Sequence, residues 1–403
     1  MADQKFIIEG GLPLKGEIEV SGAKNAATPI LAACLLTKEE CVIDNIPLIG
    51  DVFRMIEIIE QMGAEVDWLD KKRVKIRAKD INPDKIQKET VSRLRSSVLL
   101  LGPLLARFKE VKMPQPGGCL IGARSLDTHL AAFEKLGIEV KQDQNFYYFK
   151  RKELKGKSIV LNEFSVTGTE NILMAASLAS GKTQVKLAAA EPYIQDLALF
   201  LNNMGAKIKG AGQHTLEIEG VDELKGTEHH LIHDPIEAGT FLIMAAATKS
   251  RLTIKNACPK YLDAVLMKLK EMGVDLEVVG EDIKIAPSSR LTAAKVTTLI
   301  YPGIPTDLQA PFGVLATQAE GTSLIHDTLY EGRLKYIDEL NKMGANAIIC
   351  DPHRALITGP TPLYGSSISS FDLRAGATLI IAALIAQGQS EIAQVYQVDR
   401  GYE

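Results

Sequence analysis

A glycine set between two apolar residues recurs five times along this 403-residue chain. The copies are Met62-Gly63-Ala64, Leu136-Gly137-Ile138, Met204-Gly205-Ala206, Met272-Gly273-Val274 and Met343-Gly344-Ala345, at intervals of 74, 68, 68 and 71 residues. Each closes an amphipathic run, such as Val52–Met62 or Tyr261–Met272, and a stretch of extended character follows, as in Glu65–Trp68 or Lys207-Ile208. A glycine in that position is a helix C-cap, because only a residue without Cβ enters the left-handed region at no steric cost. The regular spacing means that one structural unit is copied along the chain.

A second element interleaves with the first. Alanine-rich apolar runs lie at 23–34, 96–106, 169–179, 237–247, 308–319 and 375–386. Helices that lack a polar face are buried helices. Each unit therefore reads strand–helix–strand–helix–strand, which predicts an α/β or α+β fold with helices covered by sheets. Six buried helices against five glycine-capped ones predict six units with the sixth cut short, since the next glycine is due roughly 70 residues after Gly344, past Glu403. Three units make a domain of ordinary size, and the polar stretch Lys225–His230 marks the cut. The expected first domain is 23–231. The second combines 1–22 with 232–403, with the strand Lys5–Glu9 pairing somewhere. A cleft between two such domains is a favoured place for a ligand.

Composition narrows the function. A net charge of −4 excludes bulk attraction to nucleic acid or to a membrane surface, so any anion site has to be built locally. The N-terminus Met1–Phe6 is polar and has no signal-peptide apolar core, and no run of about 18 apolar residues occurs. The five cysteines (Cys34, Cys41, Cys119, Cys258 and Cys350) are scattered and lack metal-site spacing. The expectation is a cytoplasmic protein with reduced thiols, no metal, and no nucleic-acid or membrane partner. The oligomeric state stays open, and a monomer is compatible with the chain.

Four places break the repeat. In Ser21-Gly22-Ala23-Lys24-Asn25, a lysine stands at the opening turn of an apolar helix. Such a lysine is costly unless it meets an anion, which a helix N-terminus also favours, or reaches out to water. Pro116–Arg124 is a glycine-rich loop, so Cys119 is expected to be accessible, and the nearby Arg124 lowers the pKa of such a thiol. Most free cysteines are packed as small hydrophobes, which is the reading for Cys34 and Cys350. Tyr301–Gln309 places Asp307 at the start of the fifth apolar helix, where capping is the commoner role. Arg95, Arg374 and Arg400 lie at the starts of apolar runs or in turns. Arg374 could serve a structural ion pair, and Arg400 could be an exposed charge.

Taken together these stretches are specific. SGAKNAATPILAACLL (21–36), RSSVLLLGPLLARF (95–108), PGGCLIGARSLDTHL (116–130), SVTGTENILMAA (165–176), YPGIPTDLQA (301–310), DLRAGATLIIAALIAQG (372–388) and VDRGYE (398–403) follow one another in order. Over the whole chain they resemble the enolpyruvyl transferases that act on UDP-N-acetylglucosamine. The resemblance implies two similar domains, each an inside-out α/β barrel of three units. It implies transfer of the enolpyruvyl group of phosphoenolpyruvate to the 3′-hydroxyl of UDP-N-acetylglucosamine with release of phosphate, the first committed step of peptidoglycan synthesis, without metal or organic cofactor.

By the same resemblance, Lys24, Arg124 and Arg400 converge on phosphoenolpyruvate, Cys119 donates a proton, and Asp307 takes the proton of the sugar hydroxyl. A tetrahedral phospholactoyl intermediate then loses phosphate. The nucleotide sugar falls to Asn25, Arg95, Arg124, Ser125, Leu126, Asp127, Thr128, Ser165, Val166, Asp307 and Leu329, and Asp372 and Arg374 complete the substrate set. The 112–125 loop is expected to close as a lid, and Cys119 implies sensitivity to fosfomycin. The chain departs from the family pattern at Ser125 (commonly proline), Ala190 (frequently arginine) and Glu163 (lysine in some members). Family members also continue past DRGYE with a final helix, so the expectation is a truncated or marginally stable chain. Two rivals are a 5-enolpyruvylshikimate-3-phosphate synthase, which lacks the PGGC cysteine, and an inactive nucleotide-sugar-binding paralogue, which has no need of a proton donor.

Overall fold

Every one of the five repeat glycines closes a helix with positive φ, from +85° at Gly273 to +107° at Gly205. The helices are Gly50–Gln61, Asp127–Lys135, Pro192–Asn203, Asp263–Glu271 and Tyr336–Lys342. At four of them the residue after the glycine donates to the carbonyl five residues back: Ala64 to Ile59, Ala206 to Leu201, Val274 to Leu269, and Ala345 to Leu340. This is the Schellman closure, which satisfies the last helical carbonyls and turns the chain into the next strand.

The structure is a computed structural model that describes residues 4–117, 125–370 and 372–403. The described residues form two compact units, one of 22–117 with 125–232, the other of 4–21 with 233–403. Each has its own apolar core. The alanine-rich runs form the helices Lys24–Ala33, Leu101–Arg107 (entered through the 3-10 turn Arg95–Leu100), Val166–Ala176, Pro235–Ala247, Gln309–Ala316 and Leu373–Ile385. Small side chains let sheets and neighbouring helices approach these helices on every side, so nearly all of their residues are buried.

Among the described residues there are six sheets. In five of them the strand after the buried helix pairs in parallel on one side and antiparallel on the other. Those strands are Glu40–Asp44, Lys182–Lys186, Arg251–Lys255, Gly321–His326 and Gln389–Ala393. Mixed sheets packed on helices make the fold α/β. The last sheet takes its antiparallel neighbour from the other end of the chain: Phe6–Glu9 lies against Gln389–Ala393, with Phe6 opposite Ile392. In the other four such sheets that neighbour comes from the same repeat.

Two expectations change. Residues 112–114 belong to the strand Glu110–Pro114, so they are held by a ladder to Phe146–Arg151 rather than lying in a loop. Cys350 is exposed, not packed. The register slips between Ile349 and Asp351 on the strand Asn346–Asp351, which breaks the in–out alternation and leaves Ile348, Ile349 and Cys350 facing out. No helix among the described residues is long and apolar enough to cross a membrane.

Candidate active site

In the 22–232 unit the lysine at the helix opening meets an anion within its own unit. Lys24 Nζ lies 2.9 Å from Asp51 Oδ2, and Arg54 reaches Asp51 Oδ1 at 3.0 Å. Asp51 is buried in the first turn of the Gly50–Gln61 helix, where the helix dipole also favours its charge. Two cations on one buried carboxylate leave net positive charge at the Lys24 end of its helix. Asn25 follows, half-buried in the same turn.

Arg95 opens the 3-10 turn and stands close enough to His129 to act on its charge. Burial first and Arg95 second push the His129 imidazole down to about 3, so it is neutral. Ser125 is exposed, Leu126 is buried, and Asp127 is exposed at the head of the Asp127–Lys135 helix. Thr128 is buried and donates to Glu163 at 3.1 Å. Ser165 caps the Val166–Ala176 helix by accepting from the Gly168 amide, with Val166 half-buried beside it. Thus Arg95, Thr128, Ser165 and Val166 gather within one unit around the openings of two helices. Ala190 itself brings no charge to this region, where Glu170 Oε1 and Glu191 Oε2 are buried without a hydrogen-bond partner among the described residues. Burial, and for Glu170 also the charge of Glu191, raises both carboxyls.

In the 233–403 unit the centre is Asp307. It is not a helix cap: it sits within the 3-10 turn Thr306–Leu308 with its carboxylate held by two arginines. Arg333 reaches Oδ1 at 2.6 Å and Arg374 reaches Oδ2 at 3.4 Å. Burial alone would lower both guanidiniums, but Asp307 holds Arg333 above its ordinary value, and Tyr402, Asp307 and Asp234 do the same for Arg374. Arg374 stacks on the Tyr402 ring, 5.2 Å from its centroid. Arg374 is therefore an ion-pair residue, as its sequence allowed. Asp372 caps the Leu373–Ile385 helix through Oδ1, which accepts from the amides of Arg374 and Ala375. Leu329 is exposed, its amide bound to the buried Asp327. Arg400 is half-buried and donates to Gln397 at 3.2 Å, so it is not a free surface charge.

Arg333 escaped the sequence reading. It lies in Tyr330-Glu331-Gly332-Arg333, and its carbonyl accepts from Gln309, which also takes the Tyr336 hydroxyl. The only signal was an arginine in a glycine turn four residues after Leu329. Cys119 and Arg124 lie outside the described residues, as does the 118–124 half of the proposed lid.

The profile of the EPSP synthase family, described as EPSP synthase (3-phosphoshikimate 1-carboxyvinyltransferase), matches residues 8–403. The chain belongs to this family. Within it, a UDP-N-acetylglucosamine 1-carboxyvinyltransferase of Koribacter versatilis is 44% identical over 402 residues, covering 99% of this chain and 93% of the relative. One of Helicobacter pylori (strain P12) is 46% identical over 98% and 94%. One of Treponema denticola is 42% identical over 99% and 95%. Among solved structures, the enolpyruvyl transferase NikO from Streptomyces tendae has a TM-score of 0.90 at 23% identity, covering 99% of this chain and 95% of that one. An EPSP synthase of Acinetobacter baumannii has 0.73 at 21%, covering 98% and 95%. These two show that the fold is that of the family.

Proposed function

We propose that this family member transfers the enolpyruvyl group of phosphoenolpyruvate to the 3′-hydroxyl of UDP-N-acetylglucosamine and releases phosphate. The observation that carries this is the 42–46% identity, over nearly the whole chain, to transferases named for that acceptor. The reaction is assigned to the cytoplasm and, through peptidoglycan synthesis, to cell shape and division.

The residue chemistry fits the roles. Phosphoenolpyruvate is a trianion, and guanidiniums bind carboxylate and phosphate in bidentate fashion. Lys24, Arg124 and Arg400 are assigned to it, and Arg374 completes the substrate set. Cys119 protonates the methylene carbon while the sugar hydroxyl adds to the neighbouring carbon, and a thiol of ordinary pKa can give up a proton at neutral pH. Asp307 is assigned as the base for the hydroxyl proton. A carboxylate clamped by Arg333 and Arg374 is a poor base. Asn25, Arg95, Ser125, Leu126, Asp127, Thr128, Ser165, Val166, Leu329 and Asp372 are assigned to the sugar nucleotide and its surroundings.

The test is phosphate release from phosphoenolpyruvate on the 403-residue chain, with and without UDP-N-acetylglucosamine, and with shikimate 3-phosphate as the rival acceptor. Release that depends on the sugar nucleotide is expected. Release with shikimate 3-phosphate alone, or with neither acceptor, overturns the reading. Fosfomycin is expected to inactivate the protein, and inactivation that persists in Cys119→Ala removes that cysteine from its role.

A further inference from the structure

In the 233–403 unit the strands Asn346–Asp351 and Arg354–Gly359 are joined by a two-residue turn, Pro352-His353, that fixes a histidine ring. The His353 amide donates to Asp351 Oδ1 at 2.8 Å, and the His353 carbonyl accepts from the Asp327 amide at 2.8 Å. The ring nitrogen Nδ1 lies 2.7 Å from the Asp327 carbonyl oxygen. A carbonyl can only accept, so the ring proton sits on Nδ1. In the neutral ring Nε2 then carries the lone pair, and no described residue donates to it.

His353 lines a cavity of about 360 Å³ together with His326, Thr328, Asp351, Pro352 and Arg354. His326 ends the strand Gly321–His326 and stands opposite Arg354 in the ladder. Its ring is half-buried and bonds to no described residue. Two imidazoles therefore share one cavity. Arg354 does not reserve that cavity for an anion, because its Nε and Nη2 each lie 2.6 Å from Asp351 Oδ2 and the carboxylate offsets its charge. A histidine whose Nδ1–H is tied to a backbone carbonyl is oriented to ligate a metal through Nε2. Imidazole suits zinc, copper and nickel, whereas magnesium and calcium take oxygen. Among the described residues no three His, Cys, Asp or Glu side chains converge on a metal position, so water has to complete the shell.

We propose that His326 and His353 bind one divalent ion of the nickel, copper and zinc group through two imidazole nitrogens, with water in the remaining positions. None of the cavity's residues is among those assigned to substrates, and the proposal does not rest on the transferase reading. The two histidines are 27 residues apart and follow no metal-site spacing, so only the pairing of the strands brings them to one cavity.

The experiment is calorimetric titration of the untagged full chain with Ni²⁺, beside His326→Gln, His353→Gln and Cys350→Ser, with a thermal melt of each to confirm folding. One binding event is expected that each histidine substitution weakens by at least about tenfold, the scale on which even outer-sphere groups act at metal sites. Cys350→Ser, the control for the exposed thiol on the same strand, is expected to leave it unchanged. No Ni²⁺ binding by the unsubstituted chain overturns the proposal, as does binding that is unchanged in either histidine variant. Loss in Cys350→Ser assigns the ion to the thiol and overturns it too. The ring has its own readout in nitrogen NMR of the histidine-labelled chain at about pH 8, with His353 identified by comparison with His353→Gln. The Nδ1–H tautomer and a shift of Nε2 on addition of Zn²⁺ are expected. An Nε2–H tautomer, or a His353 ring that Zn²⁺ leaves unmoved, overturns the site.

Discussion

Asp307 and Glu237 are carboxyls of one unit with opposite surroundings. Asp307 is clamped by Arg333 and Arg374. Replacing it with asparagine keeps the shape and removes the base, so turnover should fall by roughly 10²–10⁴, the usual worth of a positioned base. A steady-state assay beside a thermal melt separates this from unfolding. Glu237 is buried next to Asp234 and accepts from the Ser21 amide at 2.6 Å. Burial first and the charge of Asp234 second push it up to about 8. An acid raised on folding contributes stability that is fully present below its unfolded pKa, near 4.5, and that is lost as pH rises through 8. Glu237→Gln should therefore gain stability relative to the unsubstituted chain at pH 9 compared with pH 5 in paired melts. An unchanged difference at the two pH values removes Glu237 from the linkage. Neither partner set was legible in the sequence. Lys24 was visible as a charge needing an anion, but nothing local identified Asp51, 27 residues on, as the anion.

At the scale of the element, the glycine caps were fully legible because their cause is local: a helix that ends in the left-handed region selects glycine whatever it packs on. The caps nevertheless differ in cost. At Gly205, φ is +107° and an added Cβ meets nothing within 4 Å, so Gly205→Ala should cost only backbone strain, about 1 kcal/mol. At Gly137, φ is +93° and the added Cβ falls 2.7 Å from the Glu153 carbonyl oxygen. Gly137→Ala should cost about 1–3 kcal/mol more, the range for overpacking. Urea denaturation of both variants checks the ranking, and equal costs would show that strain alone governs these turns. Cys350 illustrates the limit of such reading: an apolar run predicts burial, and a one-residue slip in the ladder turns it outward.

For the whole molecule, the last sheet depends on the first residues of the chain. Phe6–Glu9 pairs with Gln389–Ala393, and the chain leaves that strand through Gly10, whose added Cβ would lie 2.1 Å from the Ala383 carbonyl oxygen. Gly10→Val should lift the first strand from its sheet. Amide exchange of Gln389–Ala393 should then accelerate strongly while that of Lys182–Lys186, in the other unit, stays as it was. Unaltered exchange along Gln389–Ala393 would show that the strand adapts.

The sequence by itself determined the repeat, the helix ends, the buried apolar helices and the family, because periodicity, cap chemistry and contiguous motifs are local properties. Only the tertiary structure decided the partners: Asp51 for Lys24, Arg333 for Asp307, Asn171 for His129, and a strand at residue 6 for one at residue 392. Those contacts join residues far apart along the chain, and which of many equivalent polar groups meet is settled by how the helices and sheets pack.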